Sequence, residues 1–135
     1  MSNEANKQLI NNLFEKISTG KVADAVAMLT DDCIWTVPGK PEKLPVAGPK
    51  NKTEITGLFQ QLLVDAIPKG LHLKANDFIC EGDRVAVEAE SIGQVANGRV
   101  YQNRYHFMFN IRGGKVSKVN EYCDTQHIKE TFLDA

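Results

Sequence analysis

The chain has 135 residues, enough for one domain, spanning 1–135, that buries a core without disulfides or metal. Hydrophobic residues make up 42% and charged residues 24%, a composition that excludes both a disordered chain and a largely transmembrane one. The formal net charge of -1 provides no general attraction to nucleic acid or an anionic membrane, and neither partner is expected.

The N-terminal segment becomes amphipathic without a basic-then-apolar signal layout, so a cytoplasmic location is expected. Leu9, Ile10, Leu13, Phe14 and Ile17 recur at helical spacing and predict a helix over about residues 4–18, closed by Gly20 as a left-handed cap. Val22, Ala25, Val26 and Leu29 predict a second, short helix that breaks at Thr30-Asp31-Asp32. Cys33 to Val37 is β-branched and aromatic and predicts a strand. Four prolines and two glycines between 38 and 50 predict an irregular loop, either a lid over a pocket or a structural wrap. Lys40, Lys43, Lys50 and Lys52 fall in or beside it without interleaved aromatics, the pattern of a solvated loop.

Asn51 and Glu54 are spaced as a capping box ahead of Ile55, Leu58, Phe59, Leu62, Leu63 and Ala66, which predict the best-defined helix, stopped by Pro68 and Gly70. Four strands are then predicted near 71–80, 84–93, 99–111 and 115–123. The breaks between them are Glu81-Gly82-Asp83, Ala96-Asn97-Gly98 and Arg112-Gly113-Gly114, and short links imply an antiparallel meander. Asn97-Gly98 reads as a tight hairpin because both residues tolerate positive φ. Asp124 is placed as the N-cap of a short terminal helix carrying Ile128 and Phe132. Helices gathered before an antiparallel meander define an α+β fold, a curved sheet wrapped by about three N-terminal helices around a cone-shaped pocket.

Several segments in this order carry a family resemblance. They are Leu29-Thr30-Asp31-Asp32 running into Ile34 through Gly39, then Gly48, then Glu81 through Val85, and finally Gly114-Lys115-Val116 through Glu121-Tyr122-Cys123-Asp124-Thr125. Together they resemble the nuclear-transport-factor-2-like, cystatin-like fold, and within it the SnoaL-like polyketide cyclases, ketosteroid isomerases and limonene-epoxide hydrolases. The resemblance implies a pocket for a small organic ligand, no metal or cofactor, and a homodimer. It also implies the logic of a carboxylate tuned by an apolar cone. The isomerase base would fall at Val37, its oxyanion tyrosine at Phe14 and its protonated aspartate near Asn103. Valine cannot take a proton, so that mechanism is not expected here. The hydrolase trio would fall near Glu88, Glu90 and Glu121, with Ile34 and Thr36 at its water-holding positions.

Glu88 and Glu90 share one face of a strand whose other face is Val85, Val87 and Ala89. They are either a solvent-facing pair or, in the family register, two acids inside the cone sharing a proton. Glu121 lies between Val119 and Cys123 on the last strand and is the first candidate acid or base; the bland alternatives are a surface glutamate or an ion pair with an arginine such as Arg104. Asn103 and Tyr105 alternate with Phe107 and Phe109, as ligand donors or as structural hydrogen-bonders. Trp35, Phe14, Val37, Phe59 and Val119 are candidate pocket walls, with plain core packing as the alternative for Trp35. His72, His106 and His127, and the unpaired Cys33, Cys80 and Cys123, show neither ligand spacing nor a disulfide framework. The expectation is a small-molecule enzyme using cofactor-free acid–base chemistry through Glu121, Glu88 and Glu90. The alternative is a non-catalytic ligand-binding or dimerisation module.

Overall fold

A computed structural model of the chain describes residues 2–135. Two helices lead, α1 (Asn3–Ser18) and α2 (Val22–Ala27), followed by strand β1 (Leu29–Val37). A short strand β2 (Gly48–Lys50) precedes helix α3 (Lys52–Phe59), which runs without a break into a π-helical segment, Gln60–Ala66. Strands β3 (His72–Glu81), β4 (Arg84–Gln94), β5 (Val100–Arg112) and β6 (Lys115–Cys123) then form the meander, and α4 (Thr125–Phe132) closes the chain.

The strands make one six-stranded sheet in the order β2-β1-β6-β5-β4-β3. Every pairing is antiparallel except β1 with β6. The fold is therefore α+β as expected, on a sheet that is mixed and not wholly antiparallel. The parallel pairing follows from the helix-bearing connection between β1 and the meander, since a long crossover can bring a strand back in the same direction.

Other local expectations need correction. Leu29 starts β1 and does not extend α2, and Thr30-Asp31-Asp32 belongs to that strand. The proline-rich segment contains β2, three residues pairing with the edge of β1, where Pro49 loses nothing by lacking an N–H toward solvent. Asn97-Gly98 does not form a two-residue turn. Only Gly98 has positive φ, the loop runs from Val95 to Arg99, and Asn97 uses its side chain to accept from Arg99 N–H and to donate to the Thr131 carbonyl.

Capping explains the helix boundaries. Asn51 and Glu54 form the reciprocal capping box, and Asp124 accepts from the His127 N–H to start α4. Helix α1 lies across β3, with Asn6 donating to the Gly82 carbonyl and Ser18 bonding both the N–H and the C=O of Leu73. Its buried stripe of Ile10, Leu13, Phe14 and Ile17 packs into the inner face of the sheet.

A close approach of backbone fixes the far end of the sheet. Gly93 in β4 is buried, and a Cβ there would lie 2.8 Å from Ile67 Cγ2 and 3.0 Å from the Gly70 carbonyl oxygen. This contact holds the segment after the π-helix against β4. Gly93→Ala should lower the unfolding free energy by about 1–3 kcal/mol. Urea denaturation checks it, and a midpoint equal to that of the unsubstituted protein would contradict the packing described.

Candidate active site

The inner face of the sheet, the π-helical segment and α4 enclose a cavity of about 220 Å³. Its walls are apolar almost throughout. The residues 38–47 close one side by burying Leu44 and turning Val46 inward, so this loop is both wrap and wall. The π-helical segment supplies Gln61, Leu62, Leu63 and Ala66. Its wider turn changes which side chains face the sheet, a local geometry that often accompanies functional sites. From the other end α4 contributes Ile128 and Phe132.

Glu121 is the only carboxylate lining this cavity among the described residues. Its side chain is placed by the alternation of β6, one position beyond the buried Val119 on the inner face. Oε1 accepts from Trp35 Nε1 at 3.0 Å, and Cys123 Sγ lies 3.7 Å from Oε2. The indole is itself held edge-on by Phe59, Phe107 and Phe109, with centroids 5.2, 6.2 and 6.4 Å away. Three aromatic neighbours thus fix the one strong donor that the carboxyl receives. The surface Glu121 leaves uncovered faces the apolar cavity, so the group has little water to solvate its charge. Burial raises its pKa to about 7, against the smaller lowering effects of the Trp35 and Cys123 hydrogen bonds. Near neutral pH both protonation states are populated, which is what an acid or base working there requires.

A second polar group faces the same cavity. Tyr101 and Tyr105 both line it, and Tyr105 donates to Tyr101 Oη at 3.1 Å. Tyr105 Oη also lies 2.7 Å from Ser91 Oγ. Burial pushes both phenols far above their ordinary pKa, so they remain protonated.

The remaining candidate residues are distributed as follows. Trp35, Val37, Phe59, Tyr105 and Glu121 line the cavity. Phe14 and Val119 do not. Both are core, with Phe14 wedged against Phe107 and Phe109 at 5.5 and 6.0 Å, closing the narrow end of the cone. Asn103 is buried, but its groups are engaged within the protein. Its amide donates to Tyr101 Oη and the Asp124 carbonyl, while its oxygen accepts from the Arg104 and Asp124 N–H groups. It braces the start of α4 and carries no free group for a ligand.

Glu88 and Glu90 require the largest correction. Both are exposed on the opposite face of β4, with Glu88 opposite His106 and Glu90 opposite Arg104. The inner face of that strand is taken by Val85, Val87 and Ala89. The acid pair inside the cone does not exist, and Arg104 is turned away from Glu121. Tyr101 was not singled out from sequence, although counting back by twos from Phe107 through Tyr105 and Asn103 reaches it. Among the described residues, no cluster of His, Cys, Asp or Glu could hold a metal, and no helix is long and apolar enough to cross a membrane.

These features define a class: an α+β cone with an apolar hollow and one carboxyl of raised pKa on its wall. The SnoaL-like domain family matches residues 10–119, and the chain belongs to that family. Among solved structures it is similar to an NTF2-like protein of unknown function from Burkholderia pseudomallei, with 21% identity, TM-score 0.81, and 99% of this chain and 100% of that one covered. It is also similar to TerC, co-crystallised with polyporic acid, with 20% identity, TM-score 0.80, and 96% and 99% covered. A third is PrhC from Penicillium brasilianum, with 16% identity, TM-score 0.81, and 95% and 85% covered. At these identities the likeness shows the shared fold. No curated protein matches the sequence.

The raised pKa has a consequence for stability. In the unfolded chain Glu121 titrates near its ordinary value of 4.5, and in the folded protein near 7. The folded state therefore holds its proton more tightly, and stability falls as pH rises from about 4.5 through 7. Relative to Glu121→Gln, which cannot titrate, the unsubstituted protein should lose up to about 2–3 kcal/mol across that window. Urea unfolding over a pH series checks this, and parallel profiles for the two proteins would contradict it. Trp35→Phe removes the donor that favours the ionised form, so in the same series its transition should move to higher pH.

Proposed function

We propose that the protein is an enzyme that moves a proton to or from a small, largely apolar organic substrate, with Glu121 as the acid or base. The observation that carries this reading is the isolation of Glu121. It is a lone carboxyl in an apolar cavity, oriented by Trp35 and held at a pKa of about 7 by burial. A carboxylate with a half-populated proton at neutral pH, set among apolar walls, is suited to abstraction next to a carbonyl or to activation of a water molecule. The apolar walls provide affinity through burial of the substrate, and Tyr101 and Tyr105 offer a polar end that fixes its orientation. TerC, of the same fold, was co-crystallised with polyporic acid, which supports a small organic ligand for this cavity as well.

A panel of small apolar ketones, enones and epoxides tests the proposal in heavy water and in ¹⁸O-water. Deuterium gained beside a carbonyl marks proton abstraction, and ¹⁸O gained marks water addition. Glu121→Gln should reduce turnover by about 10²–10⁴-fold while the variant stays folded. The rate should inflect near pH 7, rising with pH if Glu121 is the base and falling if it is the acid. Full turnover by Glu121→Gln would rule the assignment out. Ligand binding by both proteins with no exchange on any probe would instead favour a non-catalytic carrier, a reading consistent with walls that are almost wholly apolar.

A further inference from the structure

The two oxygens of the Glu121 carboxyl are held by different kinds of group. Oε1 accepts from Trp35 Nε1 at 3.0 Å, and Cys123 Sγ stands 3.7 Å from Oε2. Cys123 follows Glu121 by two residues on β6, so the alternation of the strand puts both side chains on the inner face. An indole can only donate, whereas a thiol is a weak donor and a weak acceptor whose hydrogen swings about the Cβ–Sγ bond. A neutral carboxyl accepts best at its carbonyl oxygen. The indole therefore keeps that character on Oε1, and the proton of the acid is carried on Oε2, the oxygen beside sulfur.

The Cys123 side chain has no other hydrogen-bond partner among the described residues. Burial, and after it the negative charge of Glu121, push the thiol far above its ordinary pKa, so the hydrogen stays on sulfur. The other titratable groups nearby do not compete for Oε2. Tyr101 and Tyr105 on β5 line the same cavity, and burial keeps both protonated. Asp124, next along the chain, is turned to the N-terminus of α4, where its carboxylate accepts from the His127 N–H. Every other element at the cavity wall adds only neutral side chains. A change of charge on Oε2 is thus met first by the S–H of Cys123.

We infer that Cys123 is a positioning residue that holds Oε2 as the reactive oxygen of Glu121, donating its S–H to the carboxylate and turning it away from the acid. The inference rests on the reading of Glu121 as acid or base, and it adds which oxygen exchanges the proton and what steadies that oxygen between the two states. A strong donor at Oε2 would tie up the electron pair that a base must use. A thiol steadies the charge at a small cost in basicity. The carboxyl is held firmly at Oε1 and lightly at Oε2.

Infrared absorption of the S–H stretch reports the thiols of the full chain in a region clear of other protein bands. As pH rises through 7, one of the three cysteine bands should move to lower wavenumber, with the same midpoint as the ¹³C-labelled Glu121 carboxyl. The bands of Cys33 and Cys80 should stay fixed, and in Glu121→Gln all three should be insensitive to pH across that range. These readings need no cysteine variant. Cys123→Ala should remove the moving band and raise the Glu121 midpoint by about half a pH unit, because the ionised form loses a donor. A loss of packing alone would lower stability and leave that midpoint where it is. If Glu121 titrates near 7 while every S–H band stays still, or if its midpoint in Cys123→Ala is unchanged or lower, the inference is overturned and the role of Glu121 stands. If the carboxyl of the unsubstituted protein does not titrate near 7, both are overturned together.

Discussion

The structure is arranged around one hydrogen bond, from the Trp35 indole to the Glu121 carboxyl, on the wall of an apolar cavity. A carboxylate there is costly, and the neutral carboxylic acid far less so, which is why burial favours the protonated form. The indole N–H relieves part of that cost for the charged form, and the aromatic residues around the indole keep it aimed. Burial outweighs the donor, so the pKa settles near 7 and not near the ordinary value of 4.5. Because an indole only donates, the contact persists in both protonation states, and the carboxyl can exchange its proton without losing its anchor.

The rest of the fold can be understood as the support for this arrangement. Strand β6 sits centrally, between β5 and the parallel β1, so Glu121 and Trp35 come from neighbouring strands whose backbones are fixed on both sides. Phe14, Phe107 and Phe109 fill the narrow end of the cone and make its floor solid. The open end is closed by α4, whose C-terminal carbonyls receive the Arg99 guanidinium from the β4–β5 loop. A cation at that end of a helix complements its partial negative charge. Two polar devices therefore face one apolar hollow: the carboxyl on β6 and the paired tyrosines on β5.

Much of this was legible in the sequence, and what was not has physical causes. Helical spacing gave α1 and α3, and the period-two runs gave the meander almost to the residue. The placement of Glu121 between Val119 and Cys123 already marked an inner face. Glu88 and Glu90 illustrate a choice between two signals. The family register put them inside, while Val85, Val87 and Ala89 on the alternate positions put them outside, and a strand cannot bury both faces against a single core. The alternation within the strand prevailed. The π-helical turn left no trace, because the residues that favour it are those of any amphipathic helix. Strand β2 was hidden by its proline, and the partner of β1 by the length of the intervening connection.

The ionisation of the Glu121 side chain can be read directly. Titration of the ¹³C-labelled glutamate carboxyls by NMR, with Glu121 assigned by its absence in Glu121→Gln, follows that group alone. Its resonance should inflect near pH 7, well separated from the exposed glutamates. A Glu121 carboxyl that titrates near 4.5 with the others would mean that water reaches it freely, and the acid–base role built on its isolation would be wrong.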